Sequence, residues 1–265
     1  MTASEEELIA AAQKGDTRAF TLLTKPYLSA LKSFVYRMAG HPDDSEDIRQ
    51  EALLRAFTRI ESFRGDAAFK TWLFSIATHI CLDYVRSKKR WREHAQVYAQ
   101  ETCRSSPALR AEMGEAFASP GFVYDVGEHI AFCFTCVARS LAPEEEAAVI
   151  LREVFDFGNQ DAAKALGVTE SVLRHHLDAG RKKLTDTYEG LCALVNKNGV
   201  CYQCRELRDL APPGARGPEV PSFGDAPEEK MRRRLAIVRD APLASGATRA
   251  LHDLVFRRIA AAEHA

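Results

Sequence analysis

The stretch "NQDAAKALGVTESVLRHHLDAGRKKL" (159–184) decides how this chain folds and what it can read. Ala162, Ala163 and Leu166 recur at helical spacing and make the packing face of a short helix. Gly167 follows as the tight turn, where a residue without a Cβ adopts positive φ at little cost. Thr169 is a natural N-cap for a second helix. Val172, Leu173 and Leu177 are expected to face its core side. Ser171, Arg174, His175 and Asp178 then point outward, with Arg181 and Lys182 at a basic end. This pattern predicts a helix-turn-helix whose second helix fits the DNA major groove, early residues near base edges and later ones near phosphates. Arg174 has the forked geometry to pair with guanine O6 and N7. The competing reading is an ordinary helical hairpin.

Outward from this motif the periodicity stays helical. Leu8, Ala11 and Ala12, then Phe20, Leu23, Tyr27, Leu31, Phe34 and Val35, then Ile48, Ala52, Leu53, Ala56 and Phe57 recur at spacings of three and four. A further helix is expected over residues 67–90. No segment alternates like a strand for long, so the fold class is all-α: two helical domains joined by a linker, the second a helix-turn-helix, plus a C-terminal helical extension. The expected boundaries are an N-terminal domain (1–92), a linker with at most one short helix (93–125) and the helix-turn-helix domain (126–190). A cysteine-bearing extension (191–210), a Pro/Gly-rich linker (211–227) and a helical tail (228–265) follow.

The chain has 265 residues and a net charge of −1, so bulk charge does not announce a nucleic-acid partner. Local charge does. "PDDSEDIRQE" (42–51) is acidic, whereas "RSKKRWR" (86–92), "GRKK" (180–183) and "RRR" (232–234) are basic and suit phosphates. The N-terminus lacks the pattern of a signal peptide, and no apolar run approaches the roughly 18 residues that span a bilayer. The expected location is the cytoplasm, with no membrane partner.

Seven cysteines in such a setting point to metal or redox chemistry more than to disulfides. "HIAFCFTC" (129–136) and "CYQC" (201–204) present two C-x-x-C pairs, the second with the turn of a zinc knuckle. One structural zinc ion is expected on Cys133, Cys136, Cys201 and Cys204, with His129 or Cys192 as rival ligands. A redox-responsive site and buried thiols are the alternatives. Cys81 reads as core and Cys103 as a free thiol in the linker.

Beyond these local readings, "DDSEDIRQEALLRAF", "FRGDAAFKTWLFSIA" and "LDYVRSKKR", all within residues 42–90, resemble the promoter-binding domain of bacterial sigma factors of the extracytoplasmic function (ECF) subgroup. "LAPEEEAAVILREVFDFGNQDAAKALGVTESVLRHHLDAGRKKL" (141–184) is similar to that family's second conserved domain. The resemblance implies a protein without catalytic activity that brings RNA polymerase core to promoters. It implies that Asp44, Glu46, Asp47, Gln50 and Glu51 dock on the beta-prime clamp helices, and that the beta flap is a second polymerase contact. It further implies that the "FRGD" loop with Arg64 holds an extruded base of the −10 element, and that the helix-turn-helix reads the −35 element. Lys70, Trp72, His79, Lys88, Lys89 and Arg90 match positions that serve the DNA. An anti-sigma factor is a further candidate partner.

The sequence departs from the family pattern at two places. His79 stands where many members carry Asn, and His175, His176 and Asp178 replace small or basic residues, so no promoter sequence carries over. The alternative function is a zinc-binding helix-turn-helix regulator or sigma-interacting adaptor, because H-x3-C-x2-C also resembles zinc-binding anti-sigma factors. "DFG" (156–158) matches a kinase triplet but lacks every companion motif, and reads as chance.

Overall fold

The structure, a computed structural model, describes residues 3–88, 95–219, 221–241, 243 and 246–264. Among them lie α1 (Glu5–Ala12), α2 (Thr17–Thr24), α3 (Leu28–Ala39), α4 (Pro42–Arg59), α5 (Phe69–Ser87), α6 (Ala95–Ser105) and α7 (Pro107–Ala118). These are followed by α8 (Val126–Ala138), α9 (Pro143–Val149), α10 (Asn159–Leu166), α11 (Glu170–Leu191), α12 (Gln203–Leu210), α13 (Pro227–Asp240) and α14 (Gly246–His264). The described residues contain no β-strand, only two isolated bridges, so the protein is all-α as expected.

Local chemistry sets the helix ends. Ser4 and Glu7 form a reciprocal capping box on α1, Asp16 caps α2 and Asp125 caps α8. Pro42 opens α4 at a position where its missing N–H is not needed, and Asp43 and Asp44 complement the positive helix end.

Two compact units emerge: Met1–Lys88 with Ala147–Leu177, and Lys89–Glu146 with Asp178–Ala265. In the first, α3, α4 and α5 pack around buried Leu31, Phe34, Ala52, Ala56, Leu73 and Phe74. The segment after α9 joins this core. A π-helical turn (Ile150–Val154) leads into Phe155 and Phe157, with Asp156 between them at φ 53°. The Phe155 ring lies 5.6 Å from Phe34 and 6.0 Å from Phe74, and Phe157 lies 5.1 Å from Phe74. The "DFG" triplet is thus an aromatic wedge. It brings α10 onto α5, where Thr71 Oγ1 donates to Asp161 Oδ1 at 3.1 Å. The first helix of the helix-turn-helix therefore buries its alanine face within this unit.

The second unit is built around α8, against which α6, α12, α13 and α14 pack. Residues 95–118, expected as a linker with one short helix, form α6 and α7 instead. Ala95 clusters with Phe132, Cys136, Val255 and Phe256, and Leu109 with Leu254. Their partners come from α8 and from the far C-terminus, so a local window carries little sign of them. The Pro/Gly-rich segment at 211–219 is also tied down: the Tyr124 amide donates to Ala215 at 2.8 Å, and the Gly217 amide donates to Tyr124 at 3.0 Å.

Candidate nucleic-acid and protein interfaces

The acidic helix α4 divides its carboxylates between two jobs. Glu46 is engaged along the helix surface by Arg49, whose Nε donates at 2.9 Å, and by Gln50 Nε2 at 3.0 Å. These bonds hold its carboxyl down at about 2. Tyr84 donates its hydroxyl to Asp44, anchoring that residue to α5. Asp47, Gln50 and Glu51 remain exposed on one face, with Glu51 paired to Arg55 along the helix. Leu54, 64% exposed, continues the same face. It lies outside the packing pattern of Ile48, Ala52, Leu53 and Ala56, and that is the signal by which the sequence marks it. An acidic stripe with one exposed leucine suits a basic protein surface that has an apolar pocket.

A cavity of about 460 Å³ opens beside the 63–66 loop. Phe63 and Trp72 supply aromatic walls, and Arg64, Asp66, Thr71, Ser75 and Lys164 line it with polar groups. The rings are locked together: Phe63 lies 5.3 Å from Trp72 and 5.8 Å from Phe69, which is itself 1% exposed. Phe69 is therefore core, whereas partly exposed Trp72 faces the cavity. A second hollow of about 320 Å³, also lined by Trp72, is bordered by Arg55, Arg59, Ser62, Ser75, Ile76 and His79. His79 is exposed, with Nδ1 2.6 Å from the Ser75 carbonyl. Lys164 of α10 donates to the Asp66 carbonyl at 2.7 Å, a contribution to the loop that the sequence reading missed because it comes from the distant helix-turn-helix.

Lys70, expected on phosphate, holds its ammonium 4.4 Å over the Phe157 ring, and Lys88 lies 4.9 Å over Tyr84. Lys89 and Arg90 fall outside the described residues.

The turn between α10 and α11 forms as its sequence demands. Gly167 sits at φ 73°, and a Cβ there would come within 3.1 Å of His79 Nε2. Thr169 Oγ1 accepts from the Val172 amide at 3.3 Å, capping α11. Ser171, Arg174, His175, Asp178, Arg181 and Lys182 are all exposed, and at about 100° per residue they share one face of α11. Leu173 and Leu177 are buried as expected. Val172 is not: it is 41% exposed beside the polar stripe, an apolar group suited to a thymine methyl. Asp178 lies 3.9 Å from Arg181, and Lys182 pairs with Asp186 at 2.6 Å.

The expected metal ligands separate in the second unit. Cys136 is 2% exposed and packs with Ala95, Phe132, Val255 and Phe256. Burial raises its thiol well above the ordinary value, and among the cysteines only Cys133 acts on it. Cys133, Cys201 and Cys204 instead share their surroundings with Cys192. Burial pushes Cys133 up to about 12 and Cys201 up to about 11, and the neighbouring cysteines add to both shifts. Cys204 is raised by burial and then by Cys133, Cys192 and Cys201. The structure thus groups Cys192, not Cys136, with the other three, because residues only 60° apart on α8 already face different neighbours. Among the described residues no three histidine, cysteine or carboxylate side chains are preformed as a metal cage. Cys81 is buried in the core, and the side chain of Cys103 falls outside the described residues.

His129 turns toward aromatics rather than sulfur. Its ring lies 5.9 Å from Tyr124 and 5.6 Å from His252, and His252 stacks on Phe132 at 4.2 Å. Burial lowers His129 to about 4, and burial followed by the neighbouring imidazole lowers His252 well below its usual range. Both are neutral in the folded protein, whereas in the unfolded chain they take up protons near pH 6.5. Stability therefore falls as pH drops below about 6.5, by about 1 kcal/mol per histidine between pH 6.5 and 5.5. Urea midpoints measured across this range should show the decline, and His252→Phe should roughly halve it.

Comparison with known proteins matches both halves of this arrangement. Residues 23–91 match the sigma-70 region 2 family, and residues 131–184 match sigma-70 region 4. The chain is 28% identical over 182 residues to the ECF RNA polymerase sigma factor SigG of Mycobacterium tuberculosis, covering 65% of this chain and 48% of that protein. It is 27% identical over 190 residues to the ECF RNA polymerase sigma-E factor of Escherichia coli, covering 71% and 96%. With SigW of Bacillus subtilis it shares 42% identity over 77 residues, covering 29% and 41%. The chain spans about half the length of SigG. Residues 23–91 and 131–184 thus carry sigma-70 regions 2 and 4, in that order, and ECF sigma factors are among the proteins that the chain is similar to.

Proposed function

We propose that this protein directs RNA polymerase core to specific promoters and starts transcription there. The observation that carries the reading is the aromatic-walled cavity of about 460 Å³ beside the "FRGD" loop, on a unit that also bears the exposed acidic face of α4. A base taken out of the stack needs an apolar wall and polar groups for its edge, and Trp72 with Arg64, Asp66 and Thr71 supply both. In this reading Asp47, Gln50, Glu51 and Leu54 meet the polymerase clamp, while Ser171 to Lys182 on α11 read the −35 element. The protein acts in the cytoplasm with polymerase as its partner, and has no catalytic activity of its own. Among the described residues no helix is long and apolar enough to cross a membrane.

Transcription reconstituted from purified chain and core polymerase tests this. Specific transcripts are expected from promoter fragments. Trp72→Ala should reduce open-complex formation about 5- to 150-fold, the worth of about 1–3 kcal/mol for one stacked base, with core binding unchanged. DNA binding without any transcript would overturn the proposal and favour a regulator.

A further inference from the structure

In the second unit buried Arg234 lies against Cys192, and Cys133, Cys201 and Cys204 fall within the electrostatic reach of both, although among the described residues no three of these side chains are preformed as a metal cage. Cys133 comes from α8, Cys192 from the end of α11, and Cys201 and Cys204 from the approach to α12 and its first turn. The 192–201 loop is closed by backbone bonds: the Cys201 amide donates to Leu191 at 2.8 Å and the Ala193 amide to Cys201 at 3.1 Å. These bonds set Cys192 beside Cys201 as an isolated bridge pair. Gly199 makes the closure feasible, because a Cβ there would meet the Cys192 carbonyl carbon at 2.4 Å. The Tyr124 hydroxyl donates to the Cys204 carbonyl at 3.2 Å and fixes the fourth position.

Arg234 of α13 is the second, independent observation. It is 1% exposed, its guanidinium lies 3.9 Å over the Tyr188 ring and 5.0 Å from that of Phe223, and Nη2 lies 3.2 Å from Cys192 Sγ. Nη1 has no hydrogen-bond partner, and among the described residues no carboxylate pairs with this side chain. A guanidinium keeps its proton in a protein, and a buried cation without a counter-charge is strongly destabilising. Four neutral thiols offer it none. Four thiolates around a zinc dication form a closed shell with net negative charge, and an N–H donor to one sulfur is the usual outer support of such a centre.

We propose that Cys133, Cys192, Cys201 and Cys204 bind one zinc ion as a structural centre of the second unit, with Arg234 as its positioning residue and counter-charge. The sulfurs close on the ion as it binds, and their protons pass to solvent, so loading strengthens as pH rises. The centre joins the end of α11 to α8 and α12. It stands independently of the promoter reading.

Metal analysis of the full chain, purified without added metal or chelator, should find one zinc per chain, released by a thiol-blocking mercurial. Exchange with cobalt should give the sulfur-to-cobalt charge-transfer and tetrahedral bands of a four-thiolate site. Cys192→Ser should lose stoichiometric zinc, Cys136→Ser should keep it, and Arg234→Met should weaken affinity about 10- to 100-fold. If Cys192→Ser does not fold, the cobalt spectrum of the unaltered chain still decides, because charge-transfer intensity scales with the number of sulfurs. Absence of zinc together with a featureless cobalt spectrum overturns the proposal. Zinc retained in Cys192→Ser and lost in Cys136→Ser, or a Cys192–Cys201 disulfide in freshly isolated protein, overturns it as well.

Discussion

Phe157→Ala is expected to destabilise the first unit by about 3–5 kcal/mol, the usual cost of removing a buried phenyl ring. Phe157 is 3% exposed, with its ring 5.1 Å from Phe74 and the Lys70 ammonium 4.4 Å above it. Its amide donates to Leu151 at 3.0 Å and its carbonyl accepts from Arg152, so the backbone is held on both sides and cannot easily collapse into the space. The loss is large compared with the roughly 5–15 kcal/mol of a typical domain. Val172→Ala, at an exposed position, is the control and should stay within about 0.5 kcal/mol. Urea unfolding of both variants checks the pair. A loss below about 1 kcal/mol for Phe157→Ala would mean that residues 147–177 do not pack on α3 and α5.

The second large effect concerns binding. Asp47→Lys combined with Glu51→Lys should weaken association with core polymerase by about 100-fold or more while leaving the fold intact. Each change replaces attraction by repulsion against a basic partner, and like charges placed across an interface cost several kcal/mol. Both positions are exposed, and the only described ion pair lost is Glu51 with Arg55, an i,i+4 pair worth about 0.3–0.5 kcal/mol. Glu46→Gln should act differently. Its carboxylate already serves Arg49 and Gln50, so its loss should loosen the helix surface more than the partner contact. Affinity of labelled polymerase core for each variant, measured at two salt concentrations, separates the cases. Unchanged affinity in the double variant would remove α4 as the docking face.

Most of the helical architecture was legible in the sequence because helix periodicity, caps and turn glycines are local. The 159–184 stretch illustrates this. Gly167, Thr169, Leu173 and Leu177 behave as their spacing demands, and the outward stripe from Ser171 to Lys182 is exposed as read. Val172 escaped the pattern because it lies at the edge of the apolar arc, where a periodic reading cannot say how far a neighbour reaches. Residues 95–118 escaped it for another reason: Leu109 packs on Leu254 of α14, and Ala95 on α8 and α14, elements well outside any local window.

The cysteines mark the boundary between the two kinds of information. Their number, the two C-x-x-C spacings and the bland alternatives were all visible in the chain, and so was Cys192 as a rival. Which cysteines share a neighbourhood depended on tertiary structure. Cys136 turns to a hydrophobic cluster made by α6 and α14, and Cys192 is delivered to Cys201 by a loop closed over Gly199. Arg234, an ordinary member of a basic run in the sequence, becomes a buried cation beside sulfur only when α13 packs on α8. By itself the sequence determined the helices, their exposed charged faces and the likeness to sigma-factor regions 2 and 4, because these follow from side-chain order along one axis. Only the tertiary structure decided the thiol grouping, the aromatic wedge at Phe155 and Phe157, and the burial of Arg234. Each of those depends on distances between elements far apart in the chain, which no local periodicity encodes.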